Sequence, residues 1–248
     1  LLKGAWRRLR HPPMSAVDLK KFNLPRYLST LPLFSNMRDE ELERLAAGCQ
    51  LRRVERGKLI FRTGEPCNEF HVTVVGQVKL FAISPTGTEK VIELCGPGHS
   101  FAEAVMFMDM PYMISAQTLT DSLILTVDKA AVMSEIVANP NFSLRMLAGL
   151  ARRLHGLVKD VEAYTLHSGV QRVIGYLLGD RLSESEVASE SITVTLPVSK
   201  AAIASRLSLT PEYFSRVLNE LEGAGLIEVD KRDIRIPDTA RLANHQAA

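Results

Sequence analysis

Hydrophobic positions change their period twice along the chain, and the changes divide it into three parts. Between residues 57 and 127, short apolar runs at 58–61, 71–75, 78–81 and 91–94 alternate with turn signals at Gly64 and Pro66, Gly76, Pro85 and Gly87, and Gly96 and Gly98. Short strands at regular spacing with glycine turns predict a small antiparallel roll or sandwich. Ahead of it, residues 39–47 place Leu42 and Leu45 on one face and predict a helix packed on the roll. After Pro140 the period lengthens: Leu147, Leu150, Leu154, Leu157, Val161 and Tyr164 recur at spacings of 3, 4, 3, 4 and 3. This is an a/d seam on a helix over residues 141–166, about 40 Å long at 1.5 Å per residue. A seam this narrow buries itself against a second helix, so it predicts a homodimer. An intramolecular core helix is the plainer alternative. Arg152, Arg153, Lys159, Asp160 and Glu162 flank the seam as solvated sides.

The third part opens near Gly169, passes a polar break at 183–191 and resumes at 192–196. Two short helices follow. Ser199 caps the first, which runs to Leu207; Thr210 caps the second and Pro211 suits its first turn. Gly223 and Gly225 stop it. Apolar residues 226–229, a polar turn at 230–233 and residues 234–236 then predict a hairpin. Helix, turn, helix and hairpin in this order predict a winged helix-turn-helix. The whole is an α+β chain with a basic arm at 1–26, a β-roll domain at 27–139, a long dimerisation helix at 140–168 and a winged helix-turn-helix domain at 169–248. Met14 reads as a natural start, which would make residues before it an addition to the native chain.

Of the 248 residues, 46% are hydrophobic and 23% charged, as in ordinary globular proteins. No apolar run approaches the roughly 20 residues that span a bilayer, so a cytoplasmic location is expected. Cys49, Cys67 and Cys95 lie 18 and 28 residues apart, match no metal-ligand spacing and read as structural thiols in a reducing compartment. A Gly-rich phosphate loop, a His-Glu-x-x-His pair and a nucleophile elbow are all missing, which argues against an enzyme.

In a helix-turn-helix the first turn of the second helix meets base edges in the major groove. Here that turn offers Glu212 and, four residues on, Arg216, with Ser215 beside them; Phe214, Val217, Leu218 and Leu221 form the opposite face. A carboxylate accepts from the cytosine amino group and a guanidinium pairs bidentately with guanine, so the pair can read G·C. The plainer alternative is an exposed Glu212–Arg216 ion pair. Residues 170–238 hold eight basic and eleven acidic side chains. Phosphate contacts must therefore be local, with Lys200, Arg206, Lys231, Arg232 and Arg235, and the cap hydroxyls of Ser199 and Thr210, as candidates.

The order of parts, residues 56–65, residues 75–80 and the run Thr210 to Arg216 resemble the CRP/FNR family from about Leu31 to Pro237. The resemblance implies a homodimeric transcription regulator that binds double-stranded DNA and works with RNA polymerase. Glu212, Ser215 and Arg216 resemble the FNR branch, which implies palindromic sites with TTGAT-like half-sites. The effector pocket would include Phe101, Glu103, Ala104, Met106, Ile114 and Ser115. It departs from the cyclic-nucleotide pattern, a Gly-Glu pair followed by an Arg-Ser pair: Ala102 replaces the glycine and Ile114 the arginine that would hold a cyclic phosphate. Cyclic AMP is disfavoured on that ground. No cysteine precedes Cys49, which disfavours an iron–sulfur cluster. Residues 101–109 resemble the DNR/NNR branch, regulators of denitrification that respond to nitric oxide, which implies haem as a cofactor. His71, His99, His155, His167, Met106 and Met108 are the conceivable iron ligands; for each, a structural role is the plainer reading. A cyclic-nucleotide-responsive regulator, or a cyclic-nucleotide-binding module without DNA binding, is the alternative.

Overall fold

The computed structural model describes residues 22–31, 34, 37–179 and 189–245. Most of the basic arm and most of the polar break lie outside the described residues, as do the side chains of Arg152, Arg153, Lys159, Asp160 and Tyr164. Two compact units are present, one of Leu1–Leu80 with Leu94–Ala151, the other of Phe81–Glu93 with Arg152–Ala248.

The first unit opens with helices α1 (Leu24–Thr30) and α2 (Asp39–Ala47). In α2 the first turn carries Asp39, Glu40 and Glu41, matching the helix dipole, and the Glu41 carboxylate accepts from the Arg38 amide at 2.7 Å. Leu42 and Leu45 are buried on the expected face. Eight strands follow along the chain, β1 (Cys49–Val54), β2 (Leu59–Phe61), β3 (Glu69–Val75), β4 (Val78–Ile83), β5 (Glu89–Cys95), β6 (Ser100–Phe101), β7 (Ser115–Thr118) and β8 (Ser122–Asp128), with the short helix α3 (Glu103–Phe107) between β6 and β7; the end of β4 and most of β5 fall in the second unit. They form two four-stranded sheets, in the orders β1-β8-β3-β6 and β2-β7-β4-β5. Pairing is antiparallel, with Cys49 opposite Val127 and Phe70 also opposite Val127. Residues 70–74 of β3 and 122–127 of β8 are buried without interruption. Both strands are flanked by neighbours, and helix α4 (Lys129–Ala138) packs near β8, so both faces of β8 are covered.

Helix α5 (Pro140–Leu166) is a 27-residue element. Its first turns send Phe142 and Met146 into the core of the first unit, where Phe142 stacks on Phe34 at 5.9 Å. The seam residues Leu147, Leu154, Leu157 and Val161 stay exposed, between 46% and 65% of their surface, and Leu150 is half-buried.

In the second unit α6 (Gly169–Leu178) starts at a capping box made by Ser168 and Gln171. Strand β9 (Ile192–Thr195), helices α7 (Lys200–Arg206) and α8 (Pro211–Gly223), strands β10 (Glu228–Asp230) and β11 (Asp233–Ile236) and helix α9 (Thr239–Ala243) complete it. The expected two-stranded hairpin is in fact part of a three-stranded sheet, order β10-β11-β9. Residues 192–195 alternate in burial and pair with 233–236, which covers what would have been an open edge of β11. The fold is an α+β chain of β-roll, long helix and winged helix-turn-helix.

Candidate nucleic-acid interface

Helix α8 is built to hold one face still and leave the other open. Thr210 Oγ1 accepts from the Tyr213 amide at 3.1 Å and Pro211 fills the first turn, so the start of the helix is well defined. Phe214, Val217, Leu218 and Leu221 are at most 1% exposed and fasten it to the domain. The opposite face carries exposed Glu212 and Arg216 with half-buried Ser215 between them. The Glu212–Arg216 ion pair, the plainer alternative to base reading, is not the one formed. Arg216 Nε lies 3.8 Å from Glu220 Oε1, one turn further on, and the guanidinium sits 4.7 Å over the Tyr213 ring. Both contacts are at the surface, and the Arg216 side chain keeps 64% of its exposure. An exposed pair of this kind contributes under about 1 kcal/mol and yields readily to a base edge. Glu212 is left on the first turn, where a carboxylate suits both the helix dipole and a cytosine amino group.

Sequence reasoning overlooked what sits behind Tyr213. A Cβ added to Gly169 would fall 2.4 Å from Tyr213 Cε1, so the start of α6 and α8 approach too closely for any side chain at 169. The glycine was visible in the sequence; its contact, 44 residues away, was not.

Of the backbone candidates, Ser199 Oγ accepts from the Ala202 amide at 3.3 Å. Like Thr210, it spends a lone pair on its cap and keeps its O–H proton available for a phosphate oxygen. Lys200 and Arg206 are half-buried, and Lys231 and Arg232 are exposed on the turn between β10 and β11. Lys231 holds φ 54, a left-handed conformation at that turn. Arg235 is held by Glu228 at 3.0 Å and is thereby partly neutralised.

The effector-pocket candidates have a different surrounding. Phe101 and Met106 are fully buried in the core and Glu103 is buried, whereas Ala104 is exposed and Ile114 half-buried. Ser115 Oγ accepts from the Thr63 amide at 3.1 Å. Ala102 holds φ 74, the left-handed conformation natural to glycine. Cavities of about 320 Å³, lined by Arg38, Asn139 and Arg145 among others, and about 260 Å³, lined by Gly64, Cys67 and Met110 among others, lie elsewhere in the first unit.

His71, the one buried histidine among the candidate iron ligands, stacks between Phe61 and Phe101 at ring distances of 5.4 and 5.2 Å. Its Nδ1 lies 3.3 Å from Thr126 Oγ1 and its Nε2 3.3 Å from the Tyr112 hydroxyl. Burial, aided by the charge of Arg52, pushes its pKa down to about 3. With both nitrogens engaged and aromatic rings on either side, His71 does not fit an axial haem ligand. His99, His155 and His167 are exposed. Among the described residues no group of three or more His, Cys, Asp or Glu could hold a metal ion. Among the same residues no helix is long and apolar enough to cross a membrane.

Comparison with known proteins matches both halves of the chain. Residues 51–139 match the Cyclic nucleotide-binding domain family and residues 171–245 the Crp-like helix-turn-helix domain family. The CRP-like cAMP-activated global transcriptional regulator of Mycobacterium tuberculosis is 28% identical over 76% of this chain and 84% of its own length. A solved structure from Silicibacter pomeroyi, inferred to be a cAMP-binding regulatory protein, is 30% identical, with a TM-score of 0.61 over 90% of this chain and 99% of that one. FixK2 from Bradyrhizobium japonicum, at 21% identity, shares the fold with a TM-score of 0.70 over 81% of this chain and 98% of its own.

Proposed function

The chain belongs to the CRP/FNR family of transcription regulators, and on that premise we propose that it binds palindromic DNA with TTGAT-like half-sites as a homodimer, reading bases through Glu212, Ser215 and Arg216. Its domains and relatives make it a DNA-binding transcription regulator and not an enzyme. The observation that carries the finer reading is the face with exposed Glu212 and Arg216 and half-buried Ser215, on a helix whose other side is locked into the core. Dimerisation is supported by the unburied seam on α5 and by the dimeric habit of the family. Two reading helices related by a two-fold axis would enter successive major grooves about one turn apart. Selection from a random duplex library tests the site: recovery of an inverted TTGAT repeat supports the assignment, and recovery of no consensus overturns it. Leu154→Glu places a charge in the seam and is expected to yield monomers by sedimentation; an unchanged mass would contradict the α5 dimer.

For the sensor, the reading is a response to nitric oxide or redox state through haem, in a cytoplasmic protein that contacts RNA polymerase. Its support is the DNR/NNR-like run at 101–109 together with Ile114 in place of the arginine a cyclic phosphate needs. His71 is enclosed by aromatic rings with both ring nitrogens engaged, so this reading draws on the exposed His99, His155, His167 and Met108. A haem titration decides it: a saturable Soret band that shifts with nitric oxide supports it, and no saturable band removes it. The competing cyclic-nucleotide response draws on the glycine-like conformation kept at Ala102 and on relatives described as cAMP-activated. Calorimetric titration with cyclic AMP separates the two.

A further inference from the structure

The α7–α8 turn is the joint that sets where the reading helix begins, and its carbonyl groups lie at the end of α7, where that of Ser205 already accepts from the Ser208 amide at 3.2 Å. Two cations from distant parts of the sequence add charged donors to these carbonyls. Lys90 of β5 donates through Nζ to the carbonyl of Ser205, to that of Arg206 at 3.4 Å and to the Ser208 hydroxyl at 2.7 Å. Arg172 of α6 donates through Nη1 to the carbonyls of Leu207, at 2.7 Å, and Ser208, at 3.3 Å. Beside them the Val91 amide donates to Ser205 Oγ at 3.0 Å. Ser208 holds φ 55, a left-handed conformation unfavourable for a residue with a Cβ, so something must over-determine this turn. Charge-assisted bonds to the carbonyls at a helix C-terminus do so, since cations are favoured there by the dipole.

We infer that Lys90 is a positioning residue for DNA reading, through which residues 81–93 hold the α7–α8 turn and so the start of α8. The inference rests on the DNA-reading assignment above. The clamp grips the turn from the side of the α7 carbonyls and leaves Thr210, Glu212 and Arg216 exposed, so it supports reading and does not block it.

Lys90→Ala and Lys90→Arg are compared with the wild type in two ways. Amide exchange at residues 207–210 reports the turn without any DNA. Binding is measured to a duplex carrying two inverted TTGAT half-sites about 10 base pairs apart, centre to centre, and to a scrambled duplex of equal length. Lys90→Ala is expected to speed exchange in the turn about tenfold and to weaken the palindrome about tenfold, with the scrambled duplex unchanged within twofold; Lys90→Arg should recover most of both losses. Unchanged exchange overturns the inference. So does tighter binding to the palindrome, or equal weakening on both duplexes, which would make Lys90 a phosphate contact. If the wild type itself does not prefer the palindrome, the DNA-site assignment fails, and the exchange comparison alone still decides whether Lys90 holds the turn.

Discussion

In the β-roll several chemically versatile side chains are turned inward: His71 lies between two phenylalanines with both ring nitrogens engaged, and Glu103 and Thr126 are buried. In the winged domain the arrangement is reversed, with Glu212 and Arg216 in solvent on a helix whose apolar side is fully packed. The contrast separates two uses of a polar residue. Inside the roll, a polar group must be satisfied by neighbours or it costs stability, so His71 behaves as a structural element sensitive to protonation. On α8 the packing of the other face supplies rigidity, and the exposed groups are left for a partner.

The comparison is sharpened most by pH. An unfolded histidine takes up a proton near pH 6.5, whereas folded His71 does so only near 3, because burial disfavours the imidazolium. The folded state therefore keeps its full stability above about pH 6.5 and loses it as pH falls from there toward 3, by about 1.4 kcal/mol per unit. Denaturant unfolding at pH 7 and pH 5 is expected to show this loss in the wild type, with a shallower slope in His71→Gln; equal slopes would mean that His71 is not held neutral. A smaller effect is expected where α8 leans on α6. Gly169→Ala drives a methyl group into Tyr213 and is expected to destabilise the winged domain by about 1–3 kcal/mol, with recovery on adding Tyr213→Ala. A double variant as unstable as the single one would show that the contact is not the cause. The smallest effect concerns the roll: Ala102→Gly relieves a Cβ in the left-handed region and is expected to raise stability by about 1 kcal/mol. A loss of thermal stability would contradict it.

Elements whose signal is local were legible in the sequence. Helix α2 follows from Leu42 and Leu45 with an acidic first turn, and α8 from Thr210, Pro211 and its apolar face. The central strands of the roll were harder to delimit, since residues 122–127 are buried throughout and show no alternation of period two. Strand β9 carries alternation, but its partner β11 lies about 40 residues onward, so a third strand could not be read from either segment alone. The exposed face of α8 with Glu212 and Arg216 was legible because helical spacing decides it. The direction of the Arg216 ion pair was not, because Glu212 and Glu220 are each four residues away and only the side-chain conformation chooses between them. The roles of Gly169 and Lys90 depend on contacts 44 and more than 110 residues distant, beyond any periodicity.

The central claim, that α8 reads DNA through Arg216, is tested most directly by a gel-shift competition between the inverted TTGAT repeat and a scrambled duplex, with wild type and Arg216→Ala. Loss of a bidentate guanine contact predicts specific affinity lower by about ten- to a hundredfold and non-specific affinity largely retained. If Arg216→Ala keeps the wild-type preference for the repeat, the guanidinium is not a base-reading group and the account of α8 is wrong.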